Sequence, residues 1–470
     1  MSNRVRRFDL AEHRVSYWKT ASGVAAVVLA DAAAIVWLIL RAAQSWPSLP
    51  IALTWGAGSL LLFLEFAAVL VLTGALICLR RDGLESRGLP YVGRPREWHA
   101  GIIVRGYRGL LRSLRAASRN LPGQLALHAG EVVEIRSREE IFATLDSKGE
   151  LDFLPFMPEM ESLCGQQARV FRRVDKIFDW ITSSGLRRMR DTVILEGLRC
   201  DGSSHGGCQA DCPFLWKEAW LRRASAKGIN SVAQQSSKCG QLDLQHYTTR
   251  IDAETAETRF VCQLCKLPEA TTPTSWNSPR NLLRELFSGN ARISAFLTFV
   301  SITAFNAVQR RCGGARFPIL AHSQSPTSPH VVLDLQPGEL VRIKPKHEIE
   351  QTLNAQFKNR GLWFDKEMTR FCGGTHKVLA RAKRQIDERT GKMVTFATPC
   401  IALEGVTATG EYFEFAPLDE RIYWREIWLE RVTKENGVGV HSDGESARYQ
   451  ERVPALPSRH PETLRHIVIR

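Results

Sequence analysis

The chain contains two copies of one segment, and this duplication constrains the fold more than any other feature of the sequence. Residues 130–224 align with residues 338–432 at a constant offset of 208, without a gap, and 28 of the 95 aligned positions are identical. The opening run at 130–135, for example, matches 338–343. A match of this length predicts two copies of one folded unit.

Each copy reads as a small, mostly β module. Residues 130–135, Gly-Glu-x-Val-x-Ile, alternate between apolar and polar side chains, as expected of a half-buried strand. In the first copy, Ser137 and Glu140 have the spacing of a capping box, which predicts a short helix. Residues 169–172 and 192–195 predict further strands.

Two short signatures recur in the modules. Cys-Gly stands at 164–165 and 372–373, and the closing Trp-x-Glu-x-Trp-Leu stands at 216–221 and 424–429, where it fits one face of either a strand or a helix. The opening strand and the module size resemble SH3-like small barrels. The pair resembles a group of bacterial membrane-anchored proteins with duplicated Cys-Gly and Trp-Arg-Glu-x-Trp-Leu modules. This resemblance implies barrel modules and a membrane anchor, and it brings no activity.

Two long apolar runs precede the modules. Residues 20–40 carry one charge, Asp31, and residues 51–79 carry one charge, Glu65. A membrane-spanning helix needs about 20 apolar residues, so the runs predict a two-helix transmembrane hairpin. A carboxylate in mid-span is either functional or a neutral group that packs one helix on another, and the packing role is favoured here.

The distribution of charge orients this predicted hairpin. The chain has a net charge of +14, of which residues 1–19 carry +3 and residues 80–119 carry +7, while the loop between the runs holds only Arg41. Positive flanks favour the cytoplasmic side. The sequence therefore predicts a two-span protein of the inner (cytoplasmic) membrane with both termini in the cytoplasm.

Residues 98–119 read as a basic amphipathic helix that lies on an anionic lipid surface. The predicted membrane-interface residues are Arg80, Arg81, Arg105, Arg108, Arg112 and Arg115. Nucleic-acid binding is the weaker interpretation, because no reader motif accompanies the arginines and residues 120–470 are nearly balanced in charge.

The predicted fold class is α+β: a transmembrane hairpin, then two homologous SH3-like β modules joined by a helical connector that contains cysteines. Hydrophobic residues make up 44% of the chain, which excludes wholesale disorder, and the mean hydropathy of −0.18 excludes a polytopic membrane protein. An apolar run at 293–309 predicts a helix on the modules or at the lipid interface. The predicted parts are 1–19 (basic N-terminus), 20–79 (hairpin), 80–129 (basic segment), 130–224 and 338–432 (modules), 225–337 (connector) and 433–470 (flexible tail).

The cysteines predict a metal site in the first module. Cys200, His205, Cys208 and Cys212 lie in one glycine-rich loop, and thiolates with an imidazole suit tetrahedral zinc. Cys262 and Cys265 form a second chelating pair, and Cys164 is a further alternate ligand. Free or redox-active thiols and an iron–sulfur cluster remain open. The second module lacks the cluster, because Ala408 and Phe413 stand where Cys200 and His205 do.

The residues shared by both modules favour structural roles. Cys164 and Cys372 have no shared histidine as a base. Three glutamates also recur at equivalent positions and could supply acid chemistry, although surface or turn-capping roles are favoured: Glu159 and Glu367, Glu196 and Glu404, and Glu218 and Glu426.

No P-loop, dinucleotide fingerprint, His-Glu-x-x-His or Gly-x-Ser-x-Gly motif occurs in the chain. The leading hypothesis is therefore a membrane-anchored cytosolic binding or scaffold protein with a structural zinc site and an unidentified protein partner. The rival is a metal- or thiol-dependent enzyme that uses the loop from Cys200 to Cys212.

Overall fold

A computed structural model describes residues 51–85, 87–90, 125–179, 181–182, 184–224, 243–274, 279–323, 328–410, 412, 415–416 and 419–432. Several predictions lie outside this part of the chain: the first apolar run with Asp31, the basic residues Arg105, Arg108, Arg112 and Arg115, and the tail. The side chain of Glu65 also lies outside it.

A long helix, α1 (Ile51–Glu85), precedes the first module. The strands of that module are β1 Val132–Ile135, β2 Glu150–Leu151, β3 Leu154–Pro155, β4 Gln167–Arg173, β5 Lys176–Asp179, β6 Gly185–Arg188, β7 Thr192–Arg199, β8 Pro213–Lys217 and β9 Leu221–Arg223. Its helices are α2 (Arg138–Phe142) and α3 (Pro158–Glu161). The predicted capping box of Ser137 and Glu140 is confirmed at the start of α2.

The segment between the modules contains β10 Thr249–Ile251, β11 Thr258–Phe260, α4 Leu267–Ala270, β12 Thr272–Pro273, α5 Pro279–Phe287 and α6 Ile293–Arg311. The second module contains β13 Leu340–Ile343, α7 Lys346–Glu350, β14 Lys358–Asn359, β15 Leu362–Trp363, β16 Thr375–Asp387, β17 Lys392–Thr407, β18 Arg421–Trp424 and β19 Leu429–Arg431. Four 3-10 turns accompany these elements: Glu218–Trp220, Leu244–Tyr247, Lys366–Phe371 and Glu426–Trp428.

The two modules share one sheet topology. The first has the strand order β8-β7-β4-β1-β9, and the second has β18-β17-β16-β13-β19. The register also repeats, since Val133 lies opposite Ala168 and Val341 lies opposite His376 in antiparallel pairs. Both partners are displaced by the 208 residues that separate the copies in the sequence. The sequence identity therefore corresponds to a repeated strand arrangement.

Each module has an aromatic core built by its closing signature. In the first module the rings of Phe156 and Trp220 pack edge to face, 5.2 Å between centroids, and Phe364 and Trp428 do the same at 5.6 Å. The Nε1 of Trp220 donates a hydrogen bond to Thr144, 3.1 Å away. The signature itself is a strand, a 3-10 turn and a second strand, a combination that the sequence pattern left undecided.

The prediction of a transmembrane hairpin is wrong. Within the described residues, no helix combines the length and the apolar character that crossing a bilayer requires. This finding overturns both the N-terminal hairpin in the predicted fold class and the predicted two-span location in the inner membrane. The described part of the chain has mixed helix and strand content.

The described part of α1 packs along α6. Val71, Ala75 and Cys78 of α1 are buried in one apolar cluster with Ile302 and Phe305 of α6. The two backbones approach so closely that a Cβ atom added to Gly74 would lie 2.1 Å from the carbonyl oxygen of Ser301. The apolar side chains of this stretch therefore pack between two helices of the same chain.

The end of α1 is also tied to the second module. The ammonium group of Lys346, at the start of α7, lies 2.7 Å from the carboxylate of Glu85, and both side chains are buried. Arg81 donates a hydrogen bond to the hydroxyl of Tyr412 at 3.0 Å. Of the predicted membrane-interface residues, Arg81 is therefore bound within the protein, while Arg80 is exposed.

Candidate metal centre

The cysteine loop connects β7 to β8 in the first module. Its two ends are joined because the amide of Cys200 donates to the carbonyl of Cys212 at 2.8 Å. Gly202 adopts a φ of +72°, and a Cβ atom there would lie 2.2 Å from the carbonyl oxygen of Cys208. A side chain at this position would therefore both strain and obstruct the loop, which explains the glycine.

Glu159, Cys200 and His205 form a cluster that could hold a metal ion, since their ligand atoms all lie within 4.8 Å of one another. The Nε2 of His205 is 3.5 Å from the sulfur of Cys200, and its Nδ1 is 3.2 Å from Oε1 of Glu159. The histidine is only 2% exposed. A carboxylate on one ring nitrogen orients the other nitrogen toward a metal.

Glu159 is held in place as an anion. Although burial opposes ionisation, hydrogen bonds from His205 and Ser204 lower the pKa of Glu159 to about 2. Its Oε1 also accepts the amide N–H of Ser204 at 3.0 Å. Its Oε2 is buried and has no hydrogen-bond partner. A buried carboxylate oxygen without a partner fits either a metal ion or an ordered water.

Three further predicted cysteine ligands lie around a small cavity beside this cluster, which has a volume of about 30 Å³. Cys208, Cys212 and Cys262 line it together with Cys200 and His205. The sulfur of Cys265 lies 3.3 Å from that of Cys262. The structure thus brings the 200–212 loop and the Cys-x-x-Cys pair together, although about 50 residues separate them in the chain.

Without a cation, most of these thiols stay protonated. Burial raises the pKa of Cys200 to about 12 and raises the pKa values of Cys208 and Cys212. Cys265 is the exception, because a hydrogen bond from the thiol of Cys262 lowers its pKa to about 7. A bound cation would reverse this balance, since metal ligation deprotonates thiols outright.

Cys164 does not join the cluster. Its thiol points back to the carbonyl oxygen of Met160 at 3.9 Å, and the thiol of Cys372 makes the same contact with Met368 at 3.8 Å. The sulfur follows a short helical turn in both modules. The same thiol contact therefore recurs at equivalent positions of the two modules.

The second module covers the cysteine loop with the long hairpin of β16 and β17. The amide of Ile386 donates to the sulfur of Cys208 at 3.4 Å, and Gln209 accepts from the amide of Lys383 at 2.7 Å. Glu388, close to the tip of this hairpin, lines the same cavity as Cys208 and Cys212. Burial, Glu420 and Cys265 raise the pKa of Glu388 to about 8. Sequence reasoning missed this contribution entirely.

Ion pairs on either side of the loop complete this contact between the modules. Arg421 pairs with Asp211 at 2.5 Å, and Arg199 pairs with Asp419 at 2.5 Å. The hydroxyl of Tyr423 donates to the carbonyl of Ala210 at 3.0 Å. The candidate metal centre therefore lies where the two modules meet.

The second module keeps the glutamate but not the thiols. Glu367, the counterpart of Glu159, accepts the amide of Tyr412 at 2.9 Å, which is the counterpart of the Ser204 contact. The signal for Glu159 was thus present in the sequence as a shared glutamate, and it was interpreted as turn capping. Its position beside His205 is a property of the fold.

The chain matches no known protein-family model, no curated protein and no solved structure. The resemblance of the modules to SH3-like barrels and to duplicated bacterial modules stays a prediction.

Proposed function

We propose that this chain is a binding or scaffold protein in which a structural zinc ion holds the first module against the second. The observation that carries the proposal is the convergence of the 200–212 loop and Cys262, whose sulfur lies 3.3 Å from that of Cys265, on one cavity beneath the β16–β17 hairpin. Zinc is the cation that this donor set favours, because it prefers tetrahedral sites of thiolate and imidazole.

The predicted partner of such a scaffold is another protein. Both modules expose a large aromatic side chain on their short hairpins: Phe153, between β2 and β3, is 59% exposed, and Trp363, in β15, is 53% exposed. Exposed aromatic groups are enriched at protein interfaces. The contact of residues 80–119 with anionic lipid stays a prediction, since most of that segment lies outside the described part of the chain.

The direct test is metal analysis of the full-length chain, purified without added zinc. We expect stoichiometric zinc in the wild type, and little zinc with a large loss of thermal stability in Cys200→Ser and Cys262→Ser. The control is Cys312→Ser, which changes an exposed cysteine that lies far from the loop in sequence and outside its cavity. Wild-type protein that is well folded and metal-free would refute the zinc site.

A thiol-dependent enzyme is the second candidate, because Cys262 and Cys265 lie 3.3 Å apart and the pKa of Cys265 is lowered to about 7. That pair has the geometry of a redox dithiol. This function predicts that Cys265→Ser stays folded but loses thiol–disulfide exchange with a disulfide probe. The zinc site predicts instead that the same variant loses both metal and stability.

A further inference from the structure

A second cavity, of about 330 Å³, lies between α6 and the second module. Its apolar lining comes from Ile302 and Phe317, which are buried, and from the half-buried ring of Phe299. Asn306 shapes the wall by exchanging two hydrogen bonds with the backbone of Phe317, at 2.8 and 2.9 Å. The volume lies in the range of small-molecule sites, roughly 300–1,000 Å³.

Three cationic side chains line the same cavity: Arg310, Arg316 and Lys366. Among the described residues, none of the three forms an ion pair with a carboxylate. Burial lowers the pKa of Lys366, and Arg316 lowers it further against the opposing effect of Asp365. The cavity thus collects three positive charges, of which only that of Lys366 is partly offset by a nearby carboxylate, Asp365.

This cavity is related to the metal centre by the duplication. Tyr412 lines it and is held by Glu367, just as Ser204 is held by Glu159 beside the thiols. The hydroxyl of Thr409 adds a hydrogen bond to Glu367 at 2.9 Å. The same loop of the module therefore carries thiols in the first copy and forms a wall of this cavity in the second.

We propose that the cavity binds a small organic anion with a carboxylate or phosphate head and an apolar body. The head lies against the guanidinium groups of Arg310 and Arg316, whose planar donors suit an oxyanion, and Lys366 adds a third charge. The apolar body lies on Phe299, Ile302 and Phe317. An inorganic ion would make no contact with these apolar side chains.

The test is calorimetric titration of the full-length chain with four probes: octyl phosphate, octanoate, inorganic phosphate and octanol. We expect saturable binding of octyl phosphate or octanoate that weakens with added salt. Inorganic phosphate, which lacks the apolar body, and octanol, which lacks the charge, should each bind at least tenfold more weakly. Equal binding of inorganic phosphate or of octanol would overturn the proposal.

Variants locate the site. Arg310→Gln and Arg316→Gln should each weaken octyl phosphate binding about tenfold, since each removes one charge-assisted contact. Ala307→Trp should abolish binding by filling the cavity from an exposed position of α6. The matched control is Arg311→Gln, which removes the neighbouring charge on α6, at a position that does not line the cavity, and should bind normally.

Two further results would overturn the proposal. The first is octyl phosphate binding that Arg310→Gln, Arg316→Gln and Ala307→Trp leave unchanged. The second is binding of the chain to vesicles that contain phosphatidic acid, without binding of free octyl phosphate or octanoate, because the occupant would then be a bilayer surface. Circular dichroism of each variant confirms that the fold is retained.

Discussion

Two buried glutamates hold the segments of chain that lead into the modules. In the first module, Glu218 accepts the amides of Ala126 and Leu127 at 2.9 and 2.8 Å and pairs with Arg173. In the second, Glu426 accepts the amide of Leu335 at 3.1 Å and pairs at 3.0 Å with Arg381, the counterpart of Arg173. At the scale of single residues, this shared glutamate is an internal clamp.

Replacing Glu218 with Gln should therefore destabilise the protein strongly. The change removes one of three carboxylates that face the largely buried guanidinium of Arg173, with Asp175 and Asp191 remaining, and it weakens the acceptor of two buried amides. Losing hydrogen bonds to such a charged group typically costs about 1.5–3 kcal/mol in the free energy of unfolding. Urea unfolding of the full chain measures the effect. Glu196→Gln is the control, because Glu196 and Arg169 are about 60% exposed and 3.7 Å apart, and such a pair contributes about 0–1 kcal/mol. Equal effects of the two substitutions would contradict the clamp.

Glu159 and Glu367 occupy equivalent positions in the two modules. Comparing variants of the two therefore tests the proposed effect on metal binding apart from support of the loop. Both accept amides from the same loop position, but only Glu159 contacts a histidine. Glu159→Gln should weaken zinc binding by about 10–100-fold, the usual cost of losing the group that orients a histidine ligand. Glu367→Gln should leave zinc affinity unchanged. Competition with a chromophoric chelator measures both, and a similar loss in the two variants would show a general effect on folding.

At the scale of secondary-structure elements, the turn between β5 and β6 depends on one carboxylate. Asp179 is buried and accepts the amides of Ile181 and Thr182 at 3.0 and 2.9 Å, and the hydroxyl of Ser184 at 2.6 Å. Although burial opposes ionisation, the hydrogen bonds from Ser184 and Thr182 hold the pKa of Asp179 below its usual range. The charged form of this side chain therefore stabilises the turn.

The contribution of Asp179 should depend on pH in one direction. A carboxylate with a lowered pKa in the folded state stabilises the protein above its unfolded pKa, near 3.9, and this stabilisation is lost as the pH falls. Asp179→Asn should therefore cost about 1–3 kcal/mol at pH 7 and progressively less below about pH 4. Denaturant unfolding of both proteins across this range measures the difference, and a constant difference would refute the role of the charge.

Two elements behave differently from their sequence patterns for a physical reason. The apolar stretch in α1 reads as a membrane span, but its described residues Val71, Ala75 and Cys78 are buried against α6. Hydropathy reports how apolar a segment is, and it does not report whether lipid or protein covers it. The closing signature at 216–221 fits neither a pure strand nor a pure helix, because a 3-10 turn lies between its two strands.

At the scale of the whole molecule, the candidate metal centre and the contact between the two modules share the same residues. Ile386 and Lys383 in the β16–β17 hairpin donate amides to Cys208 and Gln209 of the cysteine loop. Removing the metal should therefore loosen the hairpin tip as well as the loop, because the loop backbone loses its internal restraint. If the metal site were not coupled to the hairpin, removing the metal would loosen only the cysteine loop.

Hydrogen exchange measured with and without a zinc chelator tests this coupling. We expect faster exchange in peptides covering 200–212 and 383–391 after chelation. The exchange rates should rise at least severalfold, up to complete loss of protection. Peptides covering 358–363, the β14–β15 hairpin in the same module, serve as the control and should not change. Unchanged exchange at 383–391 despite metal loss would contradict the role of the metal in joining the modules.

The sequence by itself determined the duplication, the opening strands, the capping box at Ser137 and the presence of a cysteine-rich loop in one copy only. These features are local, because a strand pattern, a cap or a repeated motif is visible within a few neighbouring residues or by direct alignment. The metal site was predicted from local spacing alone, and that spacing could not show that Glu159 lies beside His205.

The tertiary structure decided which of the cysteines meet, that Cys164 is not among them, and that α1 packs on α6. It also decided that the second module covers the loop, through contacts such as that of Cys208 with Ile386, 178 residues apart. Such contacts depend on how the two modules and the long hairpin pack, and no periodicity or motif within either segment records them.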